Sequence, residues 1–233
     1  MLASTTAPTS TPRGADGMSV NLSERWLVAS FSSPVRACSW AIVGGGLVEI
    51  EHVAWREVRD AELRPPINAR DFMLERLHEK QLARAVGLLT SRSVATYCDV
   101  VVEGGGARAR CVATVGLGNA LRAGDPAGIA GRIGTINILV YVNVPLSNEA
   151  LLEASAVATE AKTAVVLEAG ILSRRTGRAA TGTGTDCTVA ACATGLSFAS
   201  YAGKHTNVGS LIGAAAARAV SDGVTRWLGE QAR

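Results

Sequence analysis

Apolar residues fall at two different spacings along the chain, and the change of spacing predicts the order of elements. Residues 26–31 and 35–43 carry the short-period pattern of strands, separated at Ser32-Ser33-Pro34 by a turn signal. Gly44-Gly45-Gly46 breaks the pattern, and residues 47–55 resume it with Val48, Ile50 and Val53 on one face. These strands predict a small antiparallel sheet in the first third. After Pro65-Pro66 the period lengthens. Asn68 is a suitable N-cap, and Phe72, Leu74, Leu77, Leu82 and Val86 are spaced for the apolar stripe of a helix over residues 69–84. A short strand at residues 87–90 follows.

Residues 94–102 and 108–115 are apolar runs joined by Glu103-Gly104-Gly105-Gly106-Ala107, which predicts a β-hairpin. A loop at residues 116–131 leads to 134–144, an unbroken apolar run of the kind covered on both faces of a sheet. Ser147 then caps a helix, with Glu149 suiting the positive end of its dipole and Gly170 marking its end. Residues 186–193 form another buried strand. A last helix starts at Thr206 or Asn207 and runs to about Leu228. The expected fold is a single α/β or α+β layered domain over residues 25–233, with a mixed sheet and helices packed on at least one face. Residues 1–24, rich in Ser, Thr, Pro, Ala and Gly near the start, are expected to be a disordered extension.

Composition narrows the function. Hydrophobic residues make up 48% of the 233-residue chain, enough for a sizeable core, while aromatics reach only 4%. The net charge of +3 and the lack of basic runs interleaved with aromatics argue against a nucleic-acid partner. No apolar stretch is long enough for a transmembrane helix, and the first 17 residues hold no run long enough for a signal-peptide core. The five cysteines are irregularly spaced without a CxxC, so no zinc site is expected, and a reducing cytoplasm suits them.

Four segments could carry chemistry. In Thr181-Gly182-Thr183-Gly184-Thr185-Asp186, the glycines permit close backbone approach to a ligand and the hydroxyls supply rotatable donors. A plain connecting loop is the other reading, and neither a phosphate-binding GK[ST] nor GxGxxG is present. Lys204-His205 stands just before the last helix. The helix dipole and Lys204 both disfavour an imidazolium, which suits His205 to a general base and Lys204 to an oxyanion. Two solvated side chains at a helix entry is the bland reading. Asn119, after a Gly turn, either caps it or reads a substrate amide. Asn137, inside an apolar strand, must be hydrogen-bonded, for structure or for a site. Glu160 and Lys162 are two apart on a helix, so they do not face each other; both read as solvated side chains, or Glu160 lines a site. Nucleophile candidates are Ser39, Ser91, Cys187, Thr181, Thr183 and Thr185, without a GxSxG elbow to choose among them. Cys187 follows Asp186 directly in a strand, points to the other face and reads as a buried structural thiol.

Six segments occur in one order: Thr114–Ala120 (TVGLGNA), Gly134–Ile138 (GTINI), Pro145-Leu146-Ser147, Thr159–Thr163 (TEAKT), Ala180–Asp186 (ATGTGTD) and Tyr201–Thr206 (YAGKHT). In this the chain resembles the adenosylcobinamide amidohydrolase family over its C-terminal half, with a looser likeness through residues 36–46 and 66–68. It departs from the family pattern at Asn143, where an acidic residue is expected, and at Cys187, where Ser is expected. The resemblance implies hydrolysis of the amide joining a corrin propionamide arm to aminopropanol, giving adenosylcobyric acid. Some relatives of that kind act on complete cobamides. It implies a corrinoid as substrate, whose cobalt is cargo, and no resident metal or cofactor. On that reading His205 is the base, balanced by Asp186. Lys204 and the Thr183–Thr185 loop hold the oxyanion or the side arms, together with Asn119, Asn137 and Glu160. A nucleophilic threonine is the rival mechanism. A non-catalytic corrinoid carrier built from the same loops is the rival function.

Overall fold

One strand organises the whole molecule. In the computed structural model, which describes residues 9–10, 17–128 and 134–232, Trp26–Ser39 is a single strand of 14 residues, β3. It follows β1 (Thr9–Ser10) and β2 (Met18–Ser23). After it come β4 (Gly46–Glu57), helix α1 (Ala69–Glu79), β5 (Ala85–Thr90), β6 (Cys98–Gly104), β7 (Ala107–Val115) and β8 (Ala120–Leu121). Then follow β9 (Ile136–Val142), α2 (Asn148–Glu168), β10 (Gly182–Thr183), β11 (Cys187–Cys192) and α3 (Asn207–Gln231).

The turn expected at Ser32-Ser33-Pro34 is not formed. The strand continues through it, and the surplus residues are taken up as a bulge against β4 between Ser30 and Val35. A bulge tolerates Pro34, which has no N–H for the ladder. The sheet also begins earlier than Arg25. Met18 and Val20 are fully buried, and β2 pairs antiparallel with β3 from Met18↔Phe31 to Ser23↔Trp26. The alternation of Met18, Val20 and Leu22 accounts for this. The rest of the expected N-terminal extension, residues 1–8 and 11–16, lies outside the described residues, as do residues 129–133 of the expected loop.

The main sheet runs β1-β2-β3-β11-β9-β7-β6, with β4 pairing β3 and β5 pairing β4. β11 and β9 are parallel, as are β4 and β5, so the sheet is mixed. β3 pairs with β2 through its first half and with β11 through its second, on either side of the bulge. The sheet folds over at that point. Arg110 of β7 donates to the Met18 carbonyl of β2 at 2.9 Å, although β2 and β7 are not neighbours in the strand order. Phe31 and Tyr141 meet across the same interior at 5.1 Å between ring centroids, tilted by 53°. One core therefore lies between the two halves, with Leu27, Ile50, Trp55 and Leu88 facing Val112, Leu139 and Val189.

Helices cover both outer faces. α2 and α3 pack on β6, β7, β9 and β11, burying Leu151, Ala154, Ile212 and Ala216. The small side chains of α3 allow this close approach: a Cβ on Gly223 would lie 2.4 Å from the Val115 side chain. On the other side α1 buries Met73 and Leu77 against Trp26, Ala54 and Ala85. The layers are thus helix, sheet, sheet, helix, as expected of a layered domain with a mixed sheet.

Most local signals act as read. Asn68 accepts from Arg70 N and Asp71 N, Ser147 from Ala150 N, and Thr206 from Gly209 N. The β6–β7 turn has Gly105 and Gly106 at φ 55° and 77°, the left-handed pair a two-residue hairpin requires. α1 differs from expectation. It stops at Glu79, because Gln81 and Arg84 take positive φ. Its stripe is Met73 and Leu77, and Leu74 is exposed.

Candidate active site

Parallel pairing brings the N-terminal ends of β9 and β11 together, with Cys187 beside Asn137. The Gly/Thr loop closes over that end because β10 pairs antiparallel with β8, through Gly182↔Leu121 and Thr183↔Ala120.

Asp186 pins the loop down. Its Oδ1 accepts from Ile136 N at 3.0 Å and from the Thr183 hydroxyl. Its Oδ2 accepts from Thr183 N at 3.0 Å and from Lys162 Nζ at 2.8 Å. Lys162 also donates to Thr181 O, as does the Thr163 hydroxyl, each at 3.1 Å. A carboxylate with four donors has no direction left for a proton from substrate. Asp186 is a positioning residue that ties α2, β9 and the loop together. The fit is tight, since a Cβ on Gly182 would lie 2.2 Å from Asp186 Oδ2 and 2.5 Å from Lys162 Nζ.

Beside this clamp is a cavity of about 480 Å³. Thr135, Asn137, Thr185 and Asp186 line it together with Trp40, Ile42, Leu89 and Ser91. The Thr135 hydroxyl lies 2.9 Å from Thr185 O and 3.2 Å from Asn137 Oδ1, and its one proton can serve either acceptor. Asn137 is oriented from behind, its Nδ2 donating to Leu89 O across the two halves of the folded sheet at 2.8 Å. Thr185 Oγ1 donates to Gly134 O at 3.1 Å. Asn119 is buried next to the loop, and its carbonyl accepts from Gly184 N at 3.3 Å. At the rim Trp40, about half exposed, donates from Nε1 to Asp186 O at 2.7 Å. Cys187 also borders the cavity, but burial pushes its thiol up to about 12, so it stays protonated and inert.

The structure does not bring His205 to Asp186. Asp186 sits at the start of β11 beside Ile136. His205 precedes α3, whose Asn207 donates to Gly104 O at the β6–β7 tip, beyond the far end of β9. The length of β11 separates them, roughly 20 Å at the usual strand rise. His205 is exposed and makes no hydrogen bond among the described residues. Lys204 is ion-paired with Glu160, both side chains well exposed. Thus Asp186, Thr181, Gly182, Thr183, Gly184, Thr185, Asn119 and Asn137 gather at one place, while Lys204, His205 and Glu160 form a separate surface group.

Two site residues were not nominated from the sequence, and Lys162, expected to be solvated, is instead buried on Asp186. Lys162 could have been nominated, because it lies four residues from Ala158 and four from Val166 on the apolar face of α2, where a cation must have a partner. Thr135 carries no such signal, since a threonine beside a strand is ordinary. Among the described residues no three His, Cys, Asp or Glu side chains are grouped to hold a metal.

A family model described as adenosylcobinamide amidohydrolase matches residues 10–232. That match covers nearly the whole chain and places it in an amidohydrolase family. The chain belongs to the adenosylcobinamide amidohydrolase family. It is 38% identical over 96 residues to uncharacterized protein MJ1613 of Methanocaldococcus jannaschii, over 41% of this chain. The match spans only 37% of that relative's length. Among solved structures, a β-aminopeptidase from Burkholderia sp. aligns over 87% of this chain and 78% of its own, with a TM-score of 0.46 and 15% identity. The PH0078 protein of Pyrococcus horikoshii aligns over 88% and 77%, with a TM-score of 0.45 and 12% identity. The L-aminopeptidase D-Ala-esterase/amidase of Ochrobactrum anthropi aligns over 90% and 77%, with a TM-score of 0.43 and 14% identity.

Proposed function

We propose that the protein hydrolyses the amide between a corrin propionamide arm and aminopropanol in adenosylcobinamide. The products are adenosylcobyric acid and free aminopropanol, and the acid re-enters cobamide assembly as salvage. Complete cobamides are a second substrate of the same reaction. The observation that carries this reading is the cavity at the N-terminal ends of β9 and β11, in a chain of this family. Its lining is largely apolar, with the Thr135 and Thr185 hydroxyls and the Asn137 amide as the polar groups suited to orient an amide substrate.

Size supports the arrangement. A cavity of about 480 Å³ admits one side arm and excludes the ring. The corrin then rests at the mouth, where Trp40 and Ile42 offer exposed apolar surface. Gly184, Thr185 and Asn137 line the space for the arm, backed by Thr181, Gly182, Thr183 and Asn119 on a frame held by Asp186 and Lys162. Cobalt enters with the substrate, and the hydrolysis calls on no resident cofactor. Lys204, His205 and Glu160 take no part in bond breaking. A cytoplasmic setting suits five unpaired cysteines.

The test is incubation with adenosylcobinamide, followed by assay for aminopropanol and a new corrinoid carboxylate. Release of both is expected. Tight corrinoid binding with no release would favour the carrier instead.

A further inference from the structure

Amide hydrolysis at this cavity needs a nucleophile and a base. Four hydroxyls there are hydrogen-bonded: Thr183 donates to the Asp186 carboxylate, Thr185 to Gly134 O, Thr135 to Thr185 O or Asn137 Oδ1, and Thr90 Oγ1 accepts from Arg92 N. Ser91 lies in the bend after β5 with no partner to orient it among the described residues. Thr135 differs in position, following the peptide carbonyl that the Thr185 hydroxyl contacts. It is buried at the entry to the central strand β9, lines the cavity, and is aimed by Thr185 O and Asn137 Oδ1. No described lining residue is a His, Lys or Glu, and the Asp186 carboxylate is saturated. A threonine at a chain terminus resolves this, because its own α-amine serves as base.

We infer that Thr135 is the nucleophile and that the chain matures by cleaving itself between Gly134 and Thr135. The peptide bond in question is prepared. Its carbonyl oxygen already accepts from the Thr185 hydroxyl, the donor an oxyanion would use. Gly134 is wedged so closely that a Cβ would lie 2.7 Å from Gly118 N and 2.8 Å from Asn119 N. Those two successive amides make no hydrogen bond among the described residues. Adjacent free N–H groups of this kind form an anion nest.

The step balances with water alone. Thr135 Oγ1 adds to the Gly134 carbonyl carbon, and its proton passes to the departing amide nitrogen. The C–N bond breaks, leaving Gly134 esterified to Thr135. Water then splits the ester, giving a Gly134 carboxylate and a Thr135 with free hydroxyl and α-amine. Withdrawal of Gly134 clears the space beside the Gly118 and Asn119 amides for the carbonyl oxygen of the substrate arm.

This inference takes its substrate from the reading above, but maturation can be tested without substrate. The purified full chain is incubated at neutral pH and analysed by intact mass and N-terminal sequencing. Two associated chains, 1–134 and 135–233, are expected. Thr135→Ala should remain one chain and lose turnover, and Thr135→Ser should cleave at the same bond. The serine variant keeps the test decisive if the alanine variant does not fold. Activity of the cleaved enzyme should rise with pH through the α-amino range, about 7.7–8.0. A single uncut chain that still releases aminopropanol overturns maturation and leaves the substrate reading standing. Cleavage at another bond, or persistent cleavage in Thr135→Ala, also overturns it. Two chains with no aminopropanol release would keep the maturation and overturn the substrate.

Discussion

Lys162 donates to Asp186 across 2.8 Å with the two side chains 8% and 12% exposed. The pair joins the middle of α2 to the start of β11 and fixes the loop between them. Lys162→Met should leave Asp186 charged in a nearly dry place. The expected cost is roughly 3–5 kcal/mol of folding stability. Urea unfolding measures it, and a loss under about 1 kcal/mol would show that the clamp does not hold the loop.

Asn137 spans the two halves of the folded sheet through its bond to Leu89 O and also faces Thr135. Asn137→Leu removes both links and orphans a carbonyl. We expect a loss of about 1–3 kcal/mol together with a fall in kcat. A variant that is destabilised yet turns over normally would separate Asn137 from the chemistry.

The thiols should be silent. Burial raises Cys38, Cys98, Cys111 and Cys192 above their usual range, and Cys187 to about 12 from 9.0. A neutral thiol is favoured in the fold, while the unfolded chain ionises above 9.0. Stability contributed by Cys187 is therefore intact below pH 9 and lost as pH rises toward about 12. Alkylating reagents at pH 8 should neither label Cys187 in the folded protein nor inactivate it. Rapid inactivation traced to Cys187 would revive it as nucleophile.

His205→Ala and Lys204→Ala should leave turnover and stability within about twofold and 0.5 kcal/mol of the parent. Both residues lie on the surface, and Lys204 has only an exposed partner. A large fall in kcat for His205→Ala, with binding unchanged, would restore it as the base.

Sequence legibility tracked the range of the interactions. The caps at Asn68, Ser147 and Thr206, the Gly105-Gly106 turn and the buried run of β9 are local, and each was readable from a few neighbouring residues. So was the concentration of glycine and hydroxyls in the Gly/Thr loop, whose role the sequence left open between a ligand cradle and a plain connection. The ordered motifs also carried the family. The bulge at Ser32–Pro34 was not readable, because a Pro after two serines reads as a turn until β4 is present to pair on both sides of it.

The sequence by itself determined the elements, their caps and the residue types available for amide chemistry, because those depend on contacts a few residues apart. Tertiary structure decided which residues meet. The folding-over of the sheet placed Leu89 against Asn137, and parallel pairing put Asp186 beside Ile136. The same packing gave Lys162, not His205, to the Asp186 carboxylate. His205 is only 19 residues from Asp186 in sequence, yet the strand between them carries it to the far end of the sheet.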